Sequence, residues 1–312
     1  MIATVTFNPS LDEWMRLPSL RLGEVNRATG FARYPGGKGL NVSRVIRELG
    51  GRTVAFGLAG GEDGMILREL MNRLALPHRF VTVSGTTRNN YKILLERPRT
   101  FTEINLPGPV VSVRCLSTLR RQLLTHRPQP SVVALSGSLP PGVPSSTYRE
   151  WISVLRRRGW PALLDTSGPA LREGLAARPW AIKPNREEAE ELLGRRLKGV
   201  RAAGEAARAL LARGPAVVIV SLGAAGAVMA SADPDEVWLA IPPDVPVNST
   251  VGAGDSLVGG FLTGWQEGGS LAEAFRLGVA CGTATVITPG TELCHQPDVR
   301  RILPRVAMRR LA

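Results

Sequence analysis

The sequence predicts an α/β protein: a doubly wound, mostly parallel sheet with helices on both faces, plus a small β lid. Three observations predict it. Short apolar runs bounded by turn residues alternate with helical patterns along most of the 312 residues. Turn-rich motifs follow several of those runs, at the strand ends where open α/β sheets bind ligands. Two polar segments, about 11–34 and 86–109, break the alternation and carry only short alternating stretches. The length suits one large domain over 1–312, with those two segments forming the cover. A pair of long surface loops is the alternative for them.

Taken in order, Ile2–Phe7 is an apolar first strand that runs into Asn8-Pro9. It has no basic leader and no long apolar core, so it does not read as a signal peptide. After the first lid segment come helix Gly39–Leu49, strand Thr53–Ala59, helix Gly64–Leu74 and strand Arg79–Val83. The second lid segment holds strand Tyr91–Glu96. Helix Leu116–Thr125, strand Ser131–Leu135, helix Ser146–Arg158, strand Ala162–Asp165 and helix Pro169–Leu175 continue the alternation. Strand Ala181–Lys183 precedes helices Arg186–Leu193 and Val200–Arg213. Strands Ala216–Ser221, Ala227–Ala230 and Val237–Ile241 follow. Helices Asp255–Gln266 and Leu271–Thr288 come next, and a last helix is expected over Asp298–Arg310.

Composition narrows the function. No apolar stretch reaches the roughly 18–20 residues of a membrane span, so no membrane partner is expected. Cys115, Cys281 and Cys294 lack metal-ligand spacing and cannot all pair, which points to free thiols and a cytoplasmic setting. The net charge is +13, carried by 35 arginines and only four lysines. The arginines are scattered, and the densest runs, Arg156–Arg158 and Arg309-Arg310, have no interleaved aromatics to stack bases. A nucleic-acid partner is therefore not expected; a basic surface favouring small anionic substrates is. Against that background the lysines stand out. Lys38 and Lys183 fall inside Gly- or Pro-rich motifs, where a compact ammonium is not equivalent to a planar fork. Lys92 lies in a strand, and Lys198 reads as surface.

Asn248-Ser-Thr-Val-Gly-Ala-Gly-Asp-Ser256 leads into an apolar helical run. Gly252, Ala253 and Gly254 allow close backbone approach, and unpaired amides at a helix start attract anions. Asp255 at that start is either a helix cap or a general base for a phosphoryl acceptor. Pro35-Gly-Gly-Lys-Gly-Leu-Asn41 opens another helix but is not a Walker A loop, because Gly39 follows Lys38 where Ser or Thr should hold magnesium. It lacks the dinucleotide spacing too, and simple chain reversal remains an equal reading. Asn185 and Glu188, three apart after Lys183-Pro184, form either a capping box or an organiser of waters around magnesium and phosphate.

The motifs taken together resemble the ribokinase-like carbohydrate kinases. Gly36-Gly37-Lys38-Gly39-Leu40-Asn41-Val42-Ser43 and Ser249–Asp255 ahead of Gly259-Gly260 match that family's two signatures. Asn8–Asp12, Thr87–Asn90, Ser136–Gly142, Asp165–Gly168, Lys183–Asn185 with Glu188, Ser221–Gly226 and Gly290-Thr291 resemble its phosphofructokinase-B branch. The likeness runs from Ile2 to about Leu303. It implies ATP-dependent phosphorylation of a hexose phosphate with Mg2+, Asp255 as base and the Gly252–Gly254 amides, Ala253 included, as anion hole. It also implies sugar contacts from Asp12, Gly36, Gly37 and Asn41, with Lys38 near the reacting groups. Arg88, Asn90, Arg27 and Ser138 would hold the phosphate already on the sugar. Asn185 and Glu188 would organise the magnesium. Lys183, Ser221, Gly223 and Gly226 would line ATP, with Cys281, Ala280 and Ala284 walling the adenine. Some members bind a monovalent cation such as K+ near Val251 and Gly290; here Glu292 stands where one branch has arginine. Thr102–Asn105 with Pro107–Pro109 resembles members acting on fructose 1-phosphate, while fructose 6-phosphate and tagatose 6-phosphate stay open. A homodimer through the lid is a further expectation, and a non-catalytic sugar-phosphate sensor is the alternative from another class.

Overall fold

A computed structural model describes residues 1–311. Its strands in chain order are β1 (Ile2–Thr6), β2 (Ser10–Leu17), β3 (Gly30–Gly36), β4 (Thr53–Ala59), β5 (His78–Thr82), β6 (Arg88–Glu96) and β7 (Arg99–Asn105). They continue with β8 (Val132–Ser136), β9 (Ala162–Asp165), β10 (Ala181–Ile182), β11 (Val217–Ser221), β12 (Ala227–Ala232), β13 (Asp235–Ile241) and β14 (Ala307–Leu311). The helices are α1 (Lys38–Glu48), α2 (Gly61–Arg73), α3 (Val113–Thr125), α4 (Thr147–Arg157) and α5 (Gly168–Ala176). After them come α6 (Arg186–Leu193), α7 (Gly199–Leu211), α8 (Ala253–Gln266), α9 (Leu271–Val286) and α10 (Gln296–Ile302).

Ten strands form the main sheet, in the order β14-β13-β12-β11-β10-β9-β8-β1-β4-β5. From β5 to β11 every neighbour is parallel, and β12, β13 and β14 add an antiparallel edge. The period-2 pleat of β1 shows how the layers form. Ala3, Val5 and Phe7 face a core shared with α3, α4, α5 and α7, while Ile2 faces a second core with α1, α8 and α9. Phe7 meets the rings of Tyr148 and Trp151 edge-on, at 5.3 and 4.8 Å between centroids. No helix among the described residues is long and apolar enough to cross a membrane.

The two polar segments form a separate four-stranded sheet, in the order β3-β2-β6-β7. β2 and β6 run parallel, with Ser10 opposite Arg88 and Asp12 opposite Asn90. The lid thus grows out of the chain just beyond the C-terminal end of β1. Among the contacts that seat it on the main body, Asn89 Nδ2 on β6 donates to Asp63 Oδ2 on α2 at 3.1 Å. Arg99, at the β6–β7 turn, donates to Asn248 Oδ1 at 2.7 Å. Trp14 on β2 lies against Gly290, whose φ of 62° and lack of a side chain both suit that close approach.

One expected element differs. The helix over 298–310 stops at Ile302, passes through a 3-10 turn at Leu303–Arg305 and ends in β14. Pro304 has no amide with which to continue the helix. Residues 307–311 instead pair with the otherwise open edge of β13, Leu311 opposite Val237. Gly226 is also explained by packing. A side chain there would collide with the Ala240 carbonyl of β13, and φ is 92°.

Candidate active site

Gly252 has φ 77°, and a Cβ on it would lie 2.5 Å from Leu293 Cδ2, so both conformation and space require glycine. It is the N-cap of α8, and no side chain caps that helix. Asp255, the third residue of α8, is therefore not acting as a cap. The amide of Ala253 bonds Thr250 O at 3.3 Å, while those of Gly252, Gly254 and Asp255 have no protein acceptor among the described residues. Unpaired amides converging at the positive end of a 14-residue helix form an anion cradle.

The Asp255 carboxylate is buried and takes one hydrogen bond, from Asn41 Nδ2 to Oδ2 at 2.8 Å. Burial pushes its pKa up to about 6, the nearby Asp165 adds to the rise, and Lys38, Asn41 and Lys183 oppose it. The field at the site comes from a triad that spacing did not disclose. Lys38 Nζ and Lys183 Nζ lie 3.1 and 3.3 Å from the same Asp165 Oδ1. Burial penalises the Asp165 charge, but the two ammoniums outweigh it and hold that carboxyl below its ordinary range. Crowding likewise opposes the charge on Lys38, and Asp165, Asp255 and Glu188 together outweigh it, so its pKa is raised. A Cβ on Gly254 would sit 3.4 Å from Lys183 Nζ, which places that ammonium beside the cradle. Negative phosphate groups and a weakly basic carboxylate would thus share one positive, partly dry corner.

On the lid side, Asp12 is held from three directions. Ser10 Oγ and Asn90 Nδ2 donate to its Oδ1 at 2.8 and 3.2 Å, and buried Lys92 lies 3.4 Å from Oδ2. Lys92 also reaches Glu103 at 3.4 Å. The Gly36–Gly39 turn folds tightly over these groups. A side chain on Gly36 would strike the Asp12 carboxylate, and one on Gly37, with φ 111°, would come within 2.9 Å of Thr6 Cγ2. Arg88 donates through Nε and Nη2 to Asn8 O at 3.3 and 3.0 Å, and through Nη1 to Leu106 O at 2.9 Å. Of its roughly five N–H donors, three are spent on aiming the fork and two stay free for an anion. Exposed Ser138 accepts from Asn8 Nδ2 at 3.3 Å. Arg27 is exposed on the β2–β3 loop, with no hydrogen-bond or ion-pair partner among the described residues.

On the opposite side, Asn185 and Glu188 form a complete capping box on α6, each side chain bonding the other's amide at 2.8 Å. That engages one Glu188 oxygen and leaves the second. Asn185 also bridges Ser221 at the end of β11. Gly223, at φ 61°, faces open space and would admit a ligand against its backbone. Among the described residues no cluster of three or more acidic, His or Cys side chains could hold a metal alone. Magnesium bound to a nucleotide needs only one or two protein carboxylates, its remaining ligands being phosphates and waters. The free Glu188 oxygen and the unpartnered, buried Asp165 Oδ2 fit that requirement. Cys281 does not fit its expected role. It is fully buried in the core between α8 and α9, its Sγ packed where a side chain on Gly260 would go, and has no surface to offer a base. Ala280 and Ala284 are buried in the same way.

Three groups central to this geometry lay outside the expected site: Asp165, Lys92 and Arg44, whose Nη1 donates to Asn41 Oδ1 at 3.2 Å. Lysine scarcity was the available signal, since three of the four lysines pair with Asp165 or Asp12.

Residues 5–298 match the model of the pfkB family carbohydrate kinases. The chain is 36% identical over 305 residues to the 1-phosphofructokinase of Escherichia coli K12, covering 98% of this chain and 97% of that one. It is also 36% identical over 312 residues to the ATP-dependent 6-phosphofructokinase isozyme 2 of Mycobacterium tuberculosis, covering 98% and 90%. Phosphofructokinase-2 from Escherichia coli is similar in structure. Its crystal structure with substrates and products gives a TM-score of 0.93 at 34% identity, over 98% of this chain and 99% of that one. Its complex with potassium gives 0.92 at 34%, over 97% and 98%. The amide cradle, the buried carboxylate and the lysine pair thus sit in a chain that belongs to the pfkB family of carbohydrate kinases.

Proposed function

We propose that this chain transfers the γ-phosphoryl group of ATP to the free primary hydroxyl of a hexose phosphate, fructose 1-phosphate in first place, giving fructose 1,6-bisphosphate. The observation that carries the reading is Asp255: a buried carboxylate with its pKa near 6, in the same first helical turn as amides that have no protein acceptor among the described residues. Asp255 takes the hydroxyl proton as the oxygen attacks the γ-phosphorus in line. The bond from that phosphorus to the β-bridging oxygen breaks, and ADP leaves with its electrons. The Gly252 and Gly254 amides hold charge on the transferring group, the expected Ala253 amide being engaged by Thr250 O, and Lys38 and Lys183 face the same charge. Mg2+ bound with ATP would neutralise phosphate charge, held through Glu188 and Asp165 with Asn185 beside them. K+ at the backbone near Val251 and Gly290 belongs to the proposal as well. So do a cytoplasmic location and a homodimer through the lid, where Leu22, Val25, Phe31 and Ile104 stand exposed.

Preference for the 1-phosphate rests on the Thr102–Pro109 pattern and on where it lies. Pro107 O accepts from Asn8 Nδ2 at 2.9 Å, and Gly108, at φ 91°, is packed against the same side chain. Asn8 O in turn aims Arg88, so this turn shapes the anion end of the sugar pocket. A panel of fructose 1-phosphate, fructose 6-phosphate and tagatose 6-phosphate at fixed ATP tests the choice. The 1-phosphate is expected to give the highest kcat/KM; a higher value for either 6-phosphate overturns it.

A further inference from the structure

We propose that Arg44 is a positioning residue for the base, fixing the Asn41 amide so that its N–H, and not its oxygen, faces Asp255. This rests on the reading of Asp255 as the base. Arg44 Nη1 donates to Asn41 Oδ1 at 3.2 Å, and Asn41 Nδ2 donates to Asp255 Oδ2 at 2.8 Å. A guanidinium has no acceptor, so it accepts only one of the two amide orientations. Turned the other way, Asn41 would set a carbonyl dipole against a buried carboxylate. Arg44 is itself held, donating to Pro35 O at 3.3 Å and lying 6.0 Å from the Tyr34 ring centre. One helical turn of α1 therefore carries both Asn41, which touches the base, and the residue that aims it.

The charges around this relay come from every element packed on it. Asp12 on β2, Tyr34 on β3 and Glu292 in the loop after α9 face Arg44. Asp255 is faced by Lys38 from α1, Asp165 from β9 and Lys183 from beyond β10. Lys38 and Lys183 are already paired with Asp165, whereas Arg44 reaches the base through a single oriented amide. Removing Arg44 acts on Asp255 twice in the same direction. It takes away a cation and it frees the amide to turn, and both favour the protonated, inactive carboxyl.

The test uses the full chain with ATP and fructose 1-phosphate, comparing wild type, Arg44→Gln, Arg44→Lys and Asp255→Asn across pH. Arg44→Gln is expected to lower kcat about tenfold with both KM values within about threefold, the pattern of a lost transition-state contribution. Its acid limb should move up by roughly half to one pH unit. Arg44→Lys keeps a cation and a donor, and should return most of the rate and move the limb back towards wild type. A merely structural role would lower thermal stability without moving the limb. An Arg44→Gln limb that overlays wild type overturns the inference, as does an effect confined to KM or an Arg44→Lys no better than Arg44→Gln. If Arg44→Gln does not fold, Arg44→Met keeps the apolar stem and carries the same comparison. A fully active Asp255→Asn would sink the base and this inference together; an inactive one beside an unmoved Arg44→Gln limb sinks this inference alone.

Discussion

Replacing Asp255 by Asn should make the protein more stable at neutral pH while removing nearly all turnover. The carboxyl has an ordinary pKa of 3.8, raised in the folded chain to about 6. A rise of about two units corresponds to about 3 kcal/mol at about 1.36 kcal/mol per unit. The sign follows from proton binding. Between those two values the folded state holds more protons than the unfolded chain, so stability falls as pH rises towards 6 and levels off above it. Asparagine carries no charge and is spared this cost. Unfolding entropy of about 2.1 cal/mol/K per residue gives about 0.65 kcal/mol/K for 312 residues, so about 3 kcal/mol is worth roughly 4–5 °C. Thermal melts from pH 4 to 8 should show the variant's advantage growing up to about pH 6 and then holding steady. The wild-type rate should move the opposite way, about half its maximum near pH 6 and about a tenth near pH 5. An Asp255→Asn variant that melts no higher than wild type at pH 7.5, or whose advantage does not depend on pH, would refute the claim that a buried charge is retained here for chemistry.

Three other substitutions probe separate parts of the site. Asp165→Ala strips Lys38 and the buried Lys183 of their shared partner, a loss of about 3–5 kcal/mol that should lower the melting temperature by roughly 5–8 °C; a change within about 1 °C contradicts it. Arg88→Lys keeps the charge but not the fork aimed by Asn8 O and Leu106 O, so KM for the hexose phosphate should rise about 10–100-fold while KM for ATP stays put. Equal rises in both would remove Arg88 from the sugar side. Gly252→Ala forces a side chain into φ 77° and against Leu293, shifting the cradle, and should cut kcat about a hundredfold. Adding Leu293→Ala relieves the collision but not the backbone strain of about 1–2 kcal/mol, so only part of the rate should return.

Much of the frame was legible because its causes are local. Thr53–Ala59, Ala162–Asp165 and Arg186–Leu193 are bounded by turn residues or a cap, and their limits coincide with the observed strands and helix. The lid could be placed because its segments lacked helical periodicity. The last segment misled because 298–310 is helix-compatible, and what makes 307–311 a strand is the edge of β13, about 70 residues earlier in the chain. The site divides in the same way. Gly252 and Asp255 announce themselves by sitting together at a helix start. Asp165 could be identified only once β9 and β10 stood side by side, which brings Lys183 to it, with Lys38 arriving from α1. Arg44 read as one arginine among many until its partner Asn41 was seen to be touching Asp255. Cys281 shows the reverse error: a small residue chosen as a pocket wall proved to be a spacer between two crossing helices.

The parallel pairing of β2 with β6 has a mechanical outcome. Ser10–Asp12 and Arg88–Asn90, which would hold the sugar and its phosphate, are neighbouring rungs of one ladder, and that ladder is also the roof. Lifting the roof would carry those residues away from the floor, where Asp255 and Lys183 would remain. Any displacement of that ladder would therefore shift the residues proposed to hold the acceptor and the cover above them together.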